Sequence, residues 1–298
     1  DHRRVRALAA PAFSKRRMAA LRPAIESHVN DLLSAVEQSG GEVDLFAALT
    51  SPLPAMVIAE LLGVDADSAT RFRAAAASLT EFDLGRADSV QFEALATIVG
   101  ILSSIISAKR DTPADDLISE WVAVRDHQDR LSEAELMSLA FLVFLAGFEN
   151  SVYQIANAIG ALLDEDRAVV LDTVADDTLW HHRLRELVLE AAPGSFAIRR
   201  FAAEDITVGG QFIEKGSALM LSLRAAMNDP DKGDRPGLEF GRGPHYCLGA
   251  ELAMMQLDIA TRTVFRRFPH IEAVKPLNDL RRRRSWRTHG PVELPVRI

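Results

Sequence analysis

The chain has almost no cysteine, because Cys247 is the only one among its 298 residues. A single cysteine excludes an intrachain disulfide and any zinc or iron–sulfur site that needs several thiolates. This usage fits a reducing cytoplasm, where we expect the protein to be. A basic excess is also missing, since the chain has 34 basic and 42 acidic residues and a formal net charge of −8. An acidic surface repels phosphate, so we expect no nucleic-acid partner.

Long apolar runs are missing as well. The longest strongly apolar stretch, Leu136 to Gly147, is shorter than the roughly 20 residues that a bilayer-spanning helix needs. We therefore expect no association with a membrane. The first residues, Asp1 to Arg4, include no initiator methionine and precede no apolar segment typical of a signal peptide. We expect the chain to be processed, trimmed or partial.

The composition is that of a globular protein, with 48% hydrophobic and 26% charged residues. Short β-type runs lie within 196–224, and Pro291 to Ile298 is typical of a terminal strand. No linker divides the chain, which predicts a mainly α fold with a small β portion and a single domain over 1–298. Apolar residues recur at helical spacing in segments 15–38, 52–63, 66–82, 88–109, 132–163, 177–192 and 250–268.

The clearest predicted helix begins after Ser132, which forms a capping box with Glu135. It runs without proline to about Leu163, and its first half is apolar on nearly all sides, which predicts burial. Gly147, Glu149 and Asn150 interrupt this apolar pattern. A buried carboxylate is costly unless it is paired or hydrated, so these positions call for a functional explanation.

The lone cysteine lies in a loop rich in glycine. Residues 240–249 read Phe-Gly-Arg-Gly-Pro-His-Tyr-Cys-Leu-Gly, and a predicted helix follows from Ala250. Amide groups at a helix start stabilise an anion, which favours a thiolate at Cys247. One thiolate without neighbouring ligands cannot hold zinc, but it can be the single protein ligand to an iron that a macrocycle already holds. The alternative is a buried structural cysteine beside a glycine loop.

Segment 240–249 resembles the heme-thiolate signature of cytochrome P450, Phe-Gly-x-Gly-x-His-x-Cys-x-Gly, at every fixed position. Leu145 to Ser151 resembles the oxygen-activation motif in the long central helix of that family. Arg200 to Asp205 and His2 to Arg6 resemble its two segments that bind the heme propionates. The resemblance covers nearly the whole chain and implies the cytochrome P450 fold of the soluble bacterial type.

The resemblance also implies a set of heme ligands. Cys247 would be the axial ligand of the iron in heme b, with Phe240 shielding its sulfur. Gly241, Gly243 and Gly249 would shape the loop around it. A propionate needs charge-assisted partners when it enters a protein. The expected propionate ligands are His2, Arg6, Arg200 and His245.

On the oxygen side, the resemblance implies three catalytic positions. Gly147 would make room for O2, Glu149 would face a wet cavity, and protons would be delivered near Glu149 and Asn150. Asn150 stands where the family commonly has threonine. An amide donates a hydrogen bond but relays protons poorly, so this position departs from the usual pattern.

The chain departs from the family pattern in three further ways. It begins where the third helix of the family would begin, so the first helices and part of the main sheet are absent. Leu189 stands where the Glu-x-x-Arg motif has arginine, which would leave Glu186 as a buried carboxylate without its partner. The loop between Asn228 and Phe240 is short, and Arg235 is the candidate for the arginine that this loop carries in the family.

The implied activity is that of a heme-thiolate monooxygenase. It would insert one atom of O2 into a small apolar substrate, with electrons from NAD(P)H that arrive through a ferredoxin reductase and a ferredoxin. Two alternatives remain: a catalytically silent auxiliary protein or truncated fragment, and a heme enzyme driven by peroxide. The candidates for a positive face that binds an acidic ferredoxin are Arg242, Arg262, Arg266 and Arg267. The run Arg281 to Arg284 is interpreted as a solvated face or turn.

Overall fold

A computed structural model describes residues 2–79, 88–128, 131–233, 237–283, 285 and 288–298. This part of the chain is mainly helical, as the periodicity predicts. The helices are α1 His2–Ala9, α2 Lys15–Ala20, α3 Arg22–Ser39, α4 Pro52–Leu62, α5 Ala66–Ser78, α6 Ser89–Asp111, α7 Leu117–Gln128, α8 Glu133–Leu163, α9 Arg167–Ala175, α10 Asp177–Glu190, α11 Leu223–Met227 and α12 Ala250–Arg267.

Three small antiparallel sheets make up the β portion of the described residues. The chain terminus forms the central strand of the largest sheet, between strands from residues 42–44 and 272–273, which confirms the predicted terminal strand. Strand 206–208 forms a hairpin with 211–213, whereas strand 218–219 pairs with 200–201. The strands are β1 Glu42–Asp44, β2 Arg200–Phe201, β3 Ile206–Val208, β4 Gln211–Ile213, β5 Ala218–Leu219, β6 Glu272–Ala273 and β7 Pro295–Arg297.

Local sequence signals fix several helix ends. The capping box at Ser132 and Glu135 forms as predicted, and Gly63 ends α4 in the left-handed conformation with φ 72°. The predicted helix 15–38 is wrong in one respect, because it divides into α2 and α3 at Leu21. Pro23 in the first turn of α3 has no N–H and cannot continue a helix from the preceding turn. The end of the predicted helix 66–82 lies partly outside the described residues.

The long helix α8 crosses the core and contacts α4, α6, α10 and α12. Phe144 and Phe148 are buried and stack at 5.8 Å, and Phe72 from α5 meets Phe144 edge-on at 5.3 Å. On another side of α8, a Cβ at Gly147 would lie 2.7 Å from Cδ1 of Ile58. This glycine therefore allows α4 to approach α8 closely, whereas its role in making room for O2 stays a prediction.

Two helices, α6 and α8, reach the length and hydropathy of membrane-spanning segments. Both lie within the helical packing, and half of the most apolar stretch of α8 is buried by other parts of the protein. Core helices have the same composition as membrane spans. Length and hydropathy alone therefore do not mark either helix as a membrane segment.

Candidate functional site

The loop before α12 holds Cys247 by backbone geometry. Gly241 and Gly243 both adopt positive φ, 72° and 76°, which an L side chain rarely tolerates. The loop then closes on itself, because the Cys247 N–H donates to the Phe240 carbonyl over 2.9 Å. Gly249 has ordinary φ and provides a backbone N–H toward the Cys247 sulfur. Phe240 lies partly buried, edge-on to Tyr246.

The pKa of the Cys247 thiol is shifted in the direction opposite to the one that the helix start predicts. Burial raises the pKa of this thiol above its ordinary value, while the Gly249 N–H and the charge of Arg6 lower it by less. The amide groups at the helix start therefore do not lower this pKa overall, and the role of Cys247 as a thiolate ligand stays a prediction. Coordination to iron would supply the missing compensation, because a coordinating thiol is deprotonated.

The four predicted propionate ligands come together, although they lie in three distant segments. The His2 ring on α1 lies 4.2 Å from the His245 ring, centroid to centroid. Arg6 on the same helix donates from Nη2 to the Tyr246 carbonyl over 2.6 Å, beside Cys247. Arg200 at β2 lies near enough to affect His245 electrostatically. One cluster of basic groups thus borders the cysteine loop.

The electrostatics of this cluster suit an anionic ligand. Burial lowers the pKa of His245 below its ordinary value of 6.5, and the charges of His2, Arg200 and Arg6 lower it further. Within the described residues, none of these four groups pairs with a carboxylate. The cluster therefore fits a dianionic group such as the two propionates of heme, with Cys247 as a metal ligand beside it.

A strip of α8 stays exposed in the middle of an otherwise buried helix. It consists of Leu142, Ala146 and Asn150, one turn apart from each other. Leu142 is 58% exposed, and Asn150 makes only a long contact from Nδ2 to the Ala146 carbonyl, 3.4 Å. These three exposed positions in the middle of α8 are the ones that a bound ligand can contact.

Glu149 lies on a different side of α8, which makes the predicted wet environment wrong. Its side chain is 5% exposed, and its Oε1 accepts a hydrogen bond from Thr288 Oγ1 over 2.6 Å. The same oxygen forms a salt bridge of 2.9 Å with Nη2 of Arg283, which is also buried. The interpretation of Arg281 to Arg284 as a solvated run is therefore wrong for Arg283. Arg284 lies outside the described residues.

The sequence does not identify Arg283 and Thr288 as residues that lie near the motif Leu145 to Ser151. A run of four arginines is typical of solvated surface, and no spacing rule links it to a helix that lies 130 residues earlier. The one usable signal is the buried acid itself, because Glu149 in an apolar helix requires a partner.

Glu186 also differs from its prediction. It is exposed and forms a salt bridge of 3.2 Å with Arg183 one turn earlier, so it is not a buried carboxylate without a partner. Leu189 instead faces Glu239, since a Cβ at Gly237 would overlap both side chains. Within the described residues, the buried Oε2 of Glu239 has no hydrogen-bond partner. The absence of arginine at position 189 thus affects Glu239. Arg235 lies outside the described residues.

We expect Leu189→Arg to raise the melting temperature of the heme-free chain by a few degrees. The new guanidinium would pair with Glu239 Oε2, and satisfying a buried charged acceptor contributes about 1–3 kcal/mol. Thermal unfolding followed by circular dichroism measures the change, with Leu189→Met as the control of similar volume. An equal gain in a Glu239→Gln background would show that this pairing is not the cause.

Three of the four arginines predicted to form a docking face are engaged within the fold. Arg262 and Arg266 both donate to the Val174 carbonyl, and Arg262 also binds Asp177 over 2.6 Å. Arg267 forms hydrogen bonds with residues of α3. These side chains attach α12 to its neighbours, which leaves Arg242 as the exposed candidate.

Comparisons with known proteins agree with this arrangement. No protein-family model matches the chain. The chain is 33% identical to cytochrome P450 107B1 of Saccharopolyspora erythraea, over all of this chain and 75% of that protein. It is 35% identical to the mycinamicin IV hydroxylase/epoxidase of Micromonospora griseorubida, over 99% of this chain and 77% of that protein.

Solved structures match over the whole chain. The cytochrome P450 PksS of Bacillus subtilis superposes with a TM-score of 0.89 at 29% identity, and this chain covers 79% of it. The LnmA cytochrome P450 hydroxylase of Streptomyces atroolivaceus gives a TM-score of 0.86 at 32% identity, with the same coverage. These matches confirm the predicted fold class and show that the chain is shorter than its relatives. The chain belongs to the cytochrome P450 family of monooxygenases, which use heme and O2 with electrons that partner proteins transfer from NAD(P)H.

Proposed function

We propose that this chain is an active monooxygenase that inserts one atom of O2 into a small apolar substrate, with electrons delivered by a ferredoxin and its reductase. The observation that carries the proposal is Cys247 in a closed glycine loop beside four basic groups that pair with no carboxylate of the described residues. In the overall reaction one oxygen atom enters the substrate and the other leaves as water, and two electrons and two protons are consumed.

The residues of the cluster would hold heme as follows. Cys247 would ligate the iron, with Phe240 beside it and Gly241, Gly243 and Gly249 shaping the loop. Bound heme supplies the redox chemistry that activates O2. The protein supplies the thiolate, which favours O–O cleavage, and charge-assisted hydrogen bonds that fix the orientation of the ring. The expected partners of the propionates are His2, Arg6, Arg200 and His245.

The substrate side of the proposal rests on apolar exposed residues. The exposed apolar residues are Leu142 and Ala146 on α8, and Phe196 and Ile198 in segment 193–198, which are 36% and 64% exposed. Asn150 is the polar group of the α8 strip, and its amide can donate a hydrogen bond to a water or to a polar group of the ligand. These side chains suit a small, mostly apolar ligand. Relatives are named for different chemistry, such as a nocardicin C N-oxygenase and a vitamin D(3) 25-hydroxylase.

The remaining parts of the proposal concern the setting of the enzyme. One continuous hydrophobic cluster runs from Ala9 to Val296, which supports a single heme domain over 1–298. We place this domain in the bacterial cytoplasm, because its single cysteine suits a reducing compartment. Arg242 is exposed on the cysteine loop and would take part in binding an acidic ferredoxin.

A catalytically silent relative is the second candidate, and Leu189 is the observation that favours it. Leu189 supplies no arginine there, and Oε2 of Glu239 has no hydrogen-bond partner in the part of the chain that the structure describes. An unsatisfied buried carboxylate weakens the local structure on which heme retention depends.

The absorption spectrum of the reduced, carbon-monoxide-bound chain tests the proposal. The 298-residue chain is expressed with a heme supply, and free hemin at the same concentration is the control. We expect the red-shifted Soret band of a thiolate ligand, and reduction by NADPH when ferredoxin and its reductase are added. Absence of heme, or only a band typical of a neutral ligand, would overturn the active assignment and favour the silent relative.

A further inference from the structure

We propose that Glu149, Arg283 and Thr288 form an anchor that fixes α8 relative to segment 193–198 and thereby affects which ligands fit between them, with Glu149 acting as a positioning residue. The anchor would hold the exposed strip of α8 at a fixed distance from segment 193–198. The role in ligand selection rests on the proposed function, whereas the anchoring itself can be tested without heme.

The first step is the position of Glu149. Its neighbours along α8, Ala146 and Asn150, are exposed, whereas Glu149 is 5% exposed. Its Oε1 already accepts from Thr288 and lies 2.9 Å from the guanidinium of Arg283. A carboxylate oxygen engaged in this way is directed at the C-terminal segment, away from the exposed strip of α8.

The second step is the fit of the C-terminal segment against α8. Arg283 donates from Nη1 to the Tyr153 hydroxyl over 3.3 Å, and its guanidinium lies over the Tyr153 ring at 5.4 Å. Tyr153 is fully buried one turn after Glu149. The Arg283 N–H donates to the Gly290 carbonyl, and a Cβ at Gly290 would lie 2.6 Å from the Tyr153 ring. This segment therefore contacts two successive turns of α8 without spare room.

The third step connects the C-terminal segment to segment 193–198. Thr288 forms an antiparallel bridge with Gly194, and the His289 N–H donates to the Pro193 carbonyl over 2.8 Å. From Gly194 the chain continues directly to Phe196 and Ile198, whose side chains are exposed.

Arg200, one of the proposed propionate ligands, follows two residues after Ile198. Asn157 of α8 strengthens the same connection, because its Nδ2 donates to the carbonyls of Ala191 and His289. Loss of the Glu149 contact would thus change the position of segment 193–198 relative to Asn150.

The charges explain why the anchor needs both partners. Removing Arg283 alone takes away a buried cation that pairs with Glu149, which is more damaging than removing both charges of the pair. Glu149→Gln keeps the shape and an acceptor for Thr288. Arg283→Met combined with Glu149→Gln therefore restores neutrality, and the two substitutions should be strongly non-additive.

A test without heme uses tryptic cleavage directly after segment 193–198. Arg199 is exposed and lies one residue after Ile198. We expect Arg283→Met to speed cleavage after Arg199 at least tenfold and to lower the melting temperature, with Arg283→Lys retaining most of the protection. Adding Glu149→Gln to Arg283→Met should recover most of both losses. The exposed neighbour gives the matched control, Arg281→Met, which should change neither.

A second test uses the heme-loaded chain and two probes of different size, imidazole and 4-phenylimidazole. We expect Arg283→Met to weaken binding of the larger probe at least fivefold more than that of imidazole, and Glu149→Gln to shift the ratio less. A general loss of stability would affect both probes alike. An unchanged ratio together with additive effects of the two substitutions would overturn the anchor, and so would tryptic rates equal to those of Arg281→Met. If the unmodified chain shows no thiolate band, the proposed function fails while the tryptic test still decides on the anchor.

Discussion

Replacing Cys247 with serine removes the red-shifted band of the reduced carbon-monoxide complex and abolishes monooxygenation. Serine is nearly isosteric, but its hydroxyl stays protonated and does not donate electron density to iron as a thiolate does. The chain offers no substitute, since Cys247 is its only cysteine. The absorption spectrum of the purified variant after reduction and carbon monoxide addition measures the loss.

The matched control for this substitution is Tyr246→Phe. Tyr246 is the preceding residue, and its side chain is 46% exposed. Its carbonyl, which accepts from Arg6, stays in place because only the side-chain hydroxyl is removed. We expect this variant to keep the thiolate band, and both heme-free variants to melt within a few degrees of the unmodified chain. A thiolate-type band in Cys247→Ser would contradict the assignment of the iron ligand.

The cysteine loop is the part of the site that sequence predicts best. Its geometry depends on residues within ten positions of each other, and Gly241 and Gly243 are needed there for positive φ. The same holds for local features of the fold, such as the capping box at Ser132 and the helix end at Gly63. Short-range backbone requirements of this kind restrict which residue types can occur, so the sequence predicts them directly.

The oxygen side is predicted less well, because it depends on which side of a helix each residue occupies. Consecutive helical residues point about 100° apart, and here Glu149 is buried whereas Asn150 is exposed. Only the packing of Ile58 against Gly147, and of Arg283 against Glu149, decides the orientation. These partners lie far away in the sequence, and no motif around α8 specifies them.

The error at position 189 has the same origin. The motif predicts that Leu189 deprives Glu186 of a partner, but Glu186 pairs locally with Arg183. Among the described residues it is Oε2 of Glu239, fifty residues later, that has no hydrogen-bond partner, and Gly237 brings this carboxylate close to Leu189. Sequence shows that a charge is missing, and tertiary packing shows which residue is affected.

Removing a basic group from the cluster weakens heme retention by a predictable amount. A hydrogen bond to a charged group contributes about 1.5–3 kcal/mol, and about 1.4 kcal/mol corresponds to tenfold in affinity. Arg6→Leu and Arg200→Leu should each speed heme loss by roughly 10- to 100-fold. Transfer of heme to an excess of a heme-free globin, followed by absorbance, measures these rates.

The double variant Arg6→Leu with Arg200→Leu distinguishes two ways in which these arginines can bind the propionates. If Arg6 and Arg200 each bind a different propionate, their effects on the free energy of heme binding add, because the sites are independent. If both bind one propionate, the double variant loses less than the sum. We expect additivity, since Arg6 lies on α1 beside the Tyr246 carbonyl, whereas Arg200 lies in β2, which follows segment 193–198.

The control for this prediction is Arg242→Leu, which removes an equal charge from an exposed position on the cysteine loop. Heme loss from this variant should change less than threefold, because long-range effects of an exposed charge are screened by salt. Equal rates for Arg242→Leu and Arg200→Leu would mean that net charge, rather than contact with propionates, governs retention. Heme loss that is unchanged in both Arg6→Leu and Arg200→Leu would remove the basic cluster from the site and leave Cys247 as the only group assigned to the cofactor.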